Sequence, residues 1–347
     1  MTDPRYDMID SSEDLAIRPV TIDDAAELHR CFERCYEGAY AHEVYSDLAS
    51  IRDHIEQGML HSAVAVAADG EIVAHLGLLV RRPGDITVDG GGTLVDPRYR
   101  GRGLIKRLAP AVLEMLDGLD AIGYHHYPVT THDIIQRLGA DTGDVELGVM
   151  LAYTPPNAAD TAPDEQTGDG EGIRSAALVL YHAYAEGSER SICCPAQYQR
   201  EVETVLRAAR LPRSLRPDDG PPTSTRSRIE IVVERKRRLC RLDVMRVASD
   251  FREKLAGALA APEVTGADIV HLDIPLGFPG VDVATAAARK QGFFFCSVLP
   301  EFREGDVVRL QRIDPDVEEQ DTIVLHTDRS RSLLEIVESD RREVARG

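Results

Sequence analysis

Between Leu94 and Leu108 the chain reads LVDPRYRGRGLIKRL, and this stretch restricts what the sequence can fold into more than any other. An apolar strand is expected to end at Val95, because Pro97 has no donor for a sheet ladder. The chain then turns, and a helix is expected from near Arg102, with Leu104, Leu108, Val112 and Leu116 on adjoining faces. A glycine-rich turn that opens a helix leaves several N–H groups unpaired and aimed outward. Together with the helix dipole they form a ready site for phosphate. Gly101 and Gly103 can take positive φ and let a ligand approach the backbone closely. Arg98, Arg100 and Arg102 place positive charge beside the turn. The bland alternative is a plain strand–helix connection with solvated arginines. The full order strand-Val-x-Pro-x-x-Arg-Gly-x-Gly-helix is far more specific than a bare Gly-x-Gly. No GxxxxGK[ST] occurs, and the G-x-G-x-x-G spacing of a dinucleotide fingerprint is missing.

Around this segment the pattern is α/β, with a mixed sheet. Strands are expected at Leu15–Val20, Ala63–Ala68, Ile72–Val80, Ile86–Val95, Ala121–Tyr127 and Val145–Tyr153. Asp69-Gly70 is a hairpin signal between the second and third. Helices are expected after the cap residue Thr21, over Ser46–Gln57, after the glycine turn, and near Thr131–Leu138. Pro110 should kink the helix that follows the turn. The stretch PPNAADTAPDEQTGDGEG is nearly free of large apolar residues and reads as a linker. The expected organisation is a flexible lead-in at 1–14, a first domain at 15–154, a linker at 155–172 and a second, smaller α/β domain at 173–347. That second domain is expected to open with helix, including Pro195–Ala209. Strands follow at Ile229–Glu234 and Arg238–Arg246, a helix at Ser249–Ala260, strand Ile269–Leu276, helix Val281–Gln291, and strands Phe293–Leu299 and Asp306–Ile313. Strand, helix, glycine, strand occurs at both 121–153 and 269–313, which suggests two related modules in tandem.

The formal charge of −19 argues against binding nucleic acid or an anionic membrane surface. No apolar run reaches membrane-spanning length. The polar, acidic start lacks the features of a secretory signal, so a cytoplasmic location is expected. Six cysteines (31, 35, 193, 194, 240 and 296) lack the paired spacing of a zinc site and read as reduced thiols. No metal is expected, although His29, Cys31 and Cys35 lie close together on one helix.

Arg98-x-x-Gly101-x-Gly103, with the strand ending at Val95, resembles the R/Q-x-x-G-x-G/A motif of the GNAT superfamily of acetyltransferases. The resemblance covers roughly residues 15–153, including the β-α-α-β-β order before the motif and the opening Ile17-Arg18-Pro19. It implies a GNAT-like fold, acetyl-CoA as co-substrate, and transfer of the acetyl group to an amine. Matched residue by residue, it implies that Leu94 and Val95 contact pantetheine. It also implies that Arg98, Tyr99, Arg100, Gly101, Arg102, Gly103 and Leu104 hold the pyrophosphate. Many members carry N-x-x-A-x-x-x-Y-x-x-x-G-F after the fifth strand, where the Tyr protonates the departing thiolate. Aligning Gly139-Ala140 with the final pair puts Ile135 at the Tyr position, Thr131 at the Ala position and Pro128 at the Asn position. The usual general acid is absent from its usual place.

Acyl transfer from a thioester to an amine needs a deprotonated amine and donors for the tetrahedral oxyanion. Backbone N–H groups along Gly91–Val95 can serve as those donors. His125 and His126 are candidate bases, of which strand alternation lets only one face the cleft. Tyr127 and Tyr124 are candidate donors. Asp89, His132, His42 and Glu43 are weaker candidates, for which a solvated surface role is the simpler reading. No nucleophilic Ser or Cys has a sequence-visible partner, with Cys35 kept open. The second domain also resembles the end of a GNAT module, where Gly292-Phe293 begins a strand, but no R-x-x-G-x-G turn precedes it. Its CoA site is therefore expected to be degenerate. Its role would be to complete the acceptor pocket, form the inter-domain surface, or support a homodimer. The expected activity is N-acetyl transfer by direct attack on acetyl-CoA. The acceptor amine would be a small molecule or a protein lysine. The alternatives are a non-catalytic acyl-CoA-binding regulatory module or transfer of a longer acyl chain.

Overall fold

The computed structural model describes residues 15–156, 173–222 and 226–347. The lead-in at 1–14 and nearly all of the linker at 155–172 lie outside the described residues. The chain divides into two compact units, one up to His126 and one from Tyr127 onward.

Unit 1 is a five-stranded sheet with helices on both faces. Its elements are β1 (Ala16–Pro19), α1 (Ala25–Tyr36), α2 (Leu48–Glu56), β2 (Leu60–Val66), β3 (Ile72–Leu79), β4 (Thr87–Val95), α3 (Leu104–Gly118) and β5 (Gly123–His126). The strands lie in sequence order, antiparallel from β1 to β4, and β4 pairs with β5 in parallel. Alternation along β2 sends Ala63 and Ala65, with Ala67 just beyond it, into the core shared with α3. It sends Leu60, Val64 and Val66 into the core under α1 and α2. Thr21 caps as expected, but it first closes a short 3-10 turn with Asp24, and α1 starts only at Ala25. Arg18 fastens that turn by a bidentate pair with Asp24 at 2.6 and 2.7 Å. α3 runs from Leu104 to Gly118 through Pro110, and Leu104, Leu108, Val112 and Leu116 are its buried stripe.

Unit 2 is the larger. It takes in residues 127–154, which the sequence reading placed in the first domain. They join unit 2 because α4 (Ile134–Thr142) precedes β6 (Val145–Thr154), whose long antiparallel partner is β7 (Ile173–Ala183). The sequence placed a helical opening here, and β7 corrects it. Its residues 176–181 are all buried, so no alternating polar face announces a strand. Next come β8 (Arg190–Cys193), α5 (Gln199–Ala208) and β9 (Arg213–Arg216), in which β8 and β9 form a small parallel pair. The second module consists of β10 (Arg228–Glu234), β11 (Leu239–Arg246), α6 (Phe251–Leu259), α7 (Pro262–Thr265), β12 (Ile269–Pro275), α8 (Val281–Arg289), β13 (Phe294–Leu299) and β14 (Val307–Ile313). The short β15 (Glu318–Glu319) and α9 (Asp328–Arg346), neither read from the sequence, close the chain's described part.

The strand order in unit 2 is β7-β6-β13-β14-β12-β11-β10. An antiparallel pair followed by a parallel neighbour, β10-β11-β12, repeats the pattern of β3-β4-β5. β6 meets β13 at Gly148 opposite Ser297. A Cβ on Gly148 would stand 2.1 Å from the Cys296 carbonyl oxygen, so only glycine allows these strands to meet. Among the described residues no helix is long and apolar enough to cross a membrane.

Candidate active site

The turn after β4 is built from its first residue. Asp96 is buried, and its carboxylate accepts the Arg98 backbone N–H at 3.0 Å, which starts a 3-10 turn over Pro97–Tyr99. Tyr99 is buried and anchors the turn to the α3 core. Gly101 and Gly103 then take φ of 77° and 65°, a region that side chains with a Cβ adopt only with strain. A Cβ built at either glycine meets nothing within 4 Å, so the space beside the turn is open. Gly103 is the N-cap of α3, and its carbonyl accepts from Arg107 N at 3.2 Å. The N–H groups of Leu104, Ile105 and Lys106 therefore have no acceptor within the helix, and the positive end of the dipole coincides with them. The turn can hold an anion through its backbone. Leu104 contributes its N–H and buries its side chain.

The three arginines divide their work. Arg98 is held by Asp96 at 3.0 and 2.7 Å and by Glu71 at 2.7 Å. Arg34, from α1, reaches the same Asp96 at 3.2 Å and the Ile72 carbonyl at 2.7 Å. Burial alone would raise the Asp96 carboxyl, but the Arg98 side chain and N–H, with help from Arg34, hold it below its ordinary range. Asp96 was not singled out in the sequence, yet it fixes the turn to α1 and β3. Arg102 lies over the Tyr99 ring at 4.7 Å, and Arg100 is exposed, with its Nε 3.4 Å from the Val95 carbonyl oxygen.

β4 itself opens beside this turn. Its parallel ladder with β5 pairs Thr87, Val88 and Asp89 with Gly123, Tyr124 and His125. No pairing of Gly90–Val95 with β5 occurs among the described residues. On the β3 side the register shifts between His75 and Gly77, which makes a bulge around Gly92, whose φ is 63°. Aromatic side chains hold this bulge. His75 Nδ1 lies 2.6 Å from Gly92 O and its Nε2 lies 2.8 Å from Ser62 Oγ. A carbonyl can only accept, so Nδ1 carries the proton and Nε2 accepts from the serine. Burial lowers the His75 pKa to about 4 and keeps the ring neutral. Gly92 N donates to the Tyr40 hydroxyl at 3.2 Å, and the Tyr36 hydroxyl lies 3.5 Å from Thr93 O. Tyr45 is fully buried against Gly92, Gly77 and His75, stacked on Phe32 with centroids 4.4 Å apart.

The two sequence-selected histidines separate by face. A Cβ on Gly90 would touch Tyr124 Cδ2 at 2.9 Å and lie 3.5 Å from His126 Cβ, so those residues share Gly90's side. Tyr124 packs with the α3 core, so that is the α3 face. His125 lies on the other face, that of α1 and α2, and is fully buried. Tyr127, grouped with them from the sequence, belongs to unit 2, where its ring is 6.1 Å from Tyr153. His132 is in unit 2 as well. Asp89 accepts from Arg81 at 2.6 Å, which makes it a partner rather than a ready base. His42 caps a short turn by accepting from Val44 N at 3.4 Å, and Glu43 is exposed. Cys35 is buried in the core beneath α1, out of reach as a nucleophile. Among the described residues no group of His, Cys, Asp or Glu could hold a metal ion.

The corresponding place in unit 2 is filled. Here the parallel ladder is five pairs long, from Leu239 opposite Ile269 to Asp243 opposite Asp273. Arg309 clasps buried Asp273 at 2.7 and 2.8 Å, while Arg241 and Arg303 pair with buried Asp243. After β11 the chain reads Val247-Ala248-Ser249-Asp250 into α6, without glycine or arginine.

No curated protein matches the chain. Solved structures similar to it include the ribosomal-protein-S5-alanine acetyltransferase from Vibrio fischeri, at 13% identity and a TM-score of 0.38, covering 48% of this chain and 92% of that one. The yncA protein from Salmonella typhimurium, solved with its cofactor acetyl-CoA, is 15% identical with a TM-score of 0.40, covering 51% and 98%. The spermidine N-acetyltransferase from Vibrio cholerae, in complex with CoA and spermine, is 14% identical with a TM-score of 0.37, covering 49% and 95%. Residues 25–129, with the glycine-arginine turn inside them, match the model of the acetyltransferase (GNAT) family.

Proposed function

We propose that unit 1 is an N-acetyltransferase that binds acetyl-CoA and presents its thioester to an amine for direct attack. The observation that carries this reading is the open turn at Gly101 and Gly103, placed at the N-terminus of α3 directly after a strand whose second half lacks a β5 partner. The backbone N–H groups at the start of α3 would hold the pyrophosphate, with Arg100 and Arg102 adding charge. Leu94 and Val95 would pair with the pantetheine arm along the open edge of β4. His125, on the face of α1 and α2, is as fully buried as Cys35, so the amine proton is not assigned to it. The amine nitrogen bonds to the thioester carbon, the C–S bond breaks, and no covalent enzyme intermediate forms.

The acceptor is an amine, either a small molecule or a protein lysine, and the protein's net charge of −19 favours a cationic one. A second reading, a non-catalytic acyl-CoA sensor, is favoured by Ile135 standing where the family's proton donor belongs. One experiment separates the two. The wild-type protein is titrated calorimetrically with acetyl-CoA, and CoA release is followed over a panel of amines. Gly101→Glu with Gly103→Glu serves as the control. We expect micromolar binding in the wild type, at least a hundredfold loss in the double variant, and CoA release with at least one amine. Equal binding by both proteins would remove the site. Binding without release on any amine would leave the sensor.

A further inference from the structure

We propose that β10, the outer strand of the unit 2 sheet, is a dimer interface that takes the same strand of a second copy of this chain. The pairing does not depend on the acetyltransferase reading above. In unit 1 the strand β3 is covered along its outer side by β2, from Leu60 opposite Leu79 to Val66 opposite Ile72. β10 holds the corresponding place in unit 2, and among the described residues only β11 pairs with it. The outer N–H and C=O groups of such an edge are a template for another strand, and proteins blunt it by shortening the strand or placing proline in it. β1, at the edge of unit 1, shows both devices, with four residues that end in Pro19. β10 shows neither. It runs seven residues, Arg-Ile-Glu-Ile-Val-Val-Glu, without glycine or proline and with a β-branched centre. The irregularity in its ladder belongs to β11, where Met245 is the extra residue between Val244 and Arg246, so β10 itself alternates regularly. Ile229 and Ile231 pack on the unit 2 core, while Val233 on the same face is 37% exposed.

The order of residues along β10 selects a copy of itself. Two antiparallel copies related by a two-fold axis normal to the sheet must meet with one residue opposite itself. With Ile231 on the axis, all seven positions find a partner. Ile229 then faces Val233 of the second copy and covers its exposed side chain. Arg228 faces Glu234 of the second copy, and Glu230 faces Val232. Moving the axis to Glu230 would set that carboxylate against itself. Moving it to Val232 would set Glu230 against Glu234 and Arg228 against Lys236. Like charges directly opposite are destabilising, so charge favours the axis at Ile231. Within one chain Arg228 lies 2.5 Å from Glu230, and Glu234 lies 3.7 Å from Arg241. Each copy therefore carries its edge charges compensated before they meet. A seam one strand wide stands at the small end of protein interfaces, so the dimer is reversible and depends on concentration.

The test uses the full chain. Sedimentation over a dilution series should show the mass rising to about twice that of one chain as concentration increases. Ile231→Cys sets two thiols opposite each other across the axis, with Cα atoms about 4.5–5.5 Å apart, within reach of a disulfide. Val232→Cys sets them on a diagonal about 7–8 Å apart, beyond that reach. Mild oxidation should cross-link Ile231→Cys into a covalent dimer about tenfold faster than Val232→Cys or wild type. Arg228→Glu should weaken the dimer about tenfold, and adding Glu234→Arg to it should recover most of that loss. A chain that sediments as one copy at every concentration overturns the proposal and leaves the edge to a strand of a different protein. Equal cross-linking of Ile231→Cys and Val232→Cys places the dimer elsewhere and overturns it as well. If Ile231→Cys does not fold, the charge reversal decides, because position 228 is exposed. Undiminished association of Arg228→Glu, or a double variant as weak as the single one, refutes the pairing.

Discussion

His75 shows how one buried side chain sets the pH range over which unit 1 holds together. Its pKa is lowered to about 4 by burial, against about 6.5 for the imidazole in an unfolded chain. Above about pH 6.5 both states are neutral and protonation costs nothing. Between there and about pH 4 the unfolded chain takes up a proton that the folded one refuses, so stability falls as pH falls. The full window is worth on the order of 3 kcal/mol. Urea denaturation at pH 7 and pH 4.5 should show a large loss in wild type and a clearly smaller one in His75→Gln. Equal losses would mean that the buried imidazole is not the sensor. None of this was legible in the sequence. His75 bonds Gly92, seventeen residues away, and Ser62, thirteen away, across strands whose bulged register no local pattern announces. Asp96 was missed for the same reason, because its partner Arg34 lies 62 residues off. The turn at Gly101 and Gly103 and the helix start at Leu104 were legible, because their conformation follows from neighbours within one turn.

At the scale of elements, the turn and α3 act as one device braced by Asp96 and Glu71. Glu71 takes one arm of Arg98 at 2.7 Å and also lies 3.4 Å from Arg34. It is a carboxylate beside the turn proposed to hold a diphosphate. Glu71→Gln should release that arm and remove a repelling charge. At low salt we expect CoA to bind about fivefold more tightly, an effect that fades as ionic strength rises. Calorimetric titration at two salt concentrations checks this, and weaker binding in Glu71→Gln would show that the brace matters more than the charge. Elements with a clear period or cap were read correctly from the sequence: β2 and β3 about Asp69-Gly70, α3 with its leucine stripe, and β10 with β11. β7 was read as helix because its middle is buried throughout, and such a run carries no period of two.

For the whole molecule, the unequal fates of two similar modules bear on how many CoA molecules the proposed function allows one chain. The β3-β4-β5 pattern opens beyond Asp89 and leads into a glycine turn. The β10-β11-β12 pattern stays paired to Asp243 and Asp273 and is packed with arginine–aspartate pairs. Calorimetry should therefore give one CoA per chain. A stoichiometry of two would mean that unit 2 keeps a site. The tandem character was visible in the sequence as a repeated strand-helix-glycine-strand order. The boundary was not, because residues 127–154 read like the end of the first module and only their pairing with β7 assigns them to unit 2.

The meeting of β6 and β13 at Gly148 carries its own consequence. A hydrogen atom is all that position 148 can bear, so this seam has a zero tolerance that no neighbouring rotamer can absorb. Any mutation there pries apart the hairpin of β6 and β7 from the module that follows it. Unit 2 would then come undone along a line, much as a zip fails at one tooth.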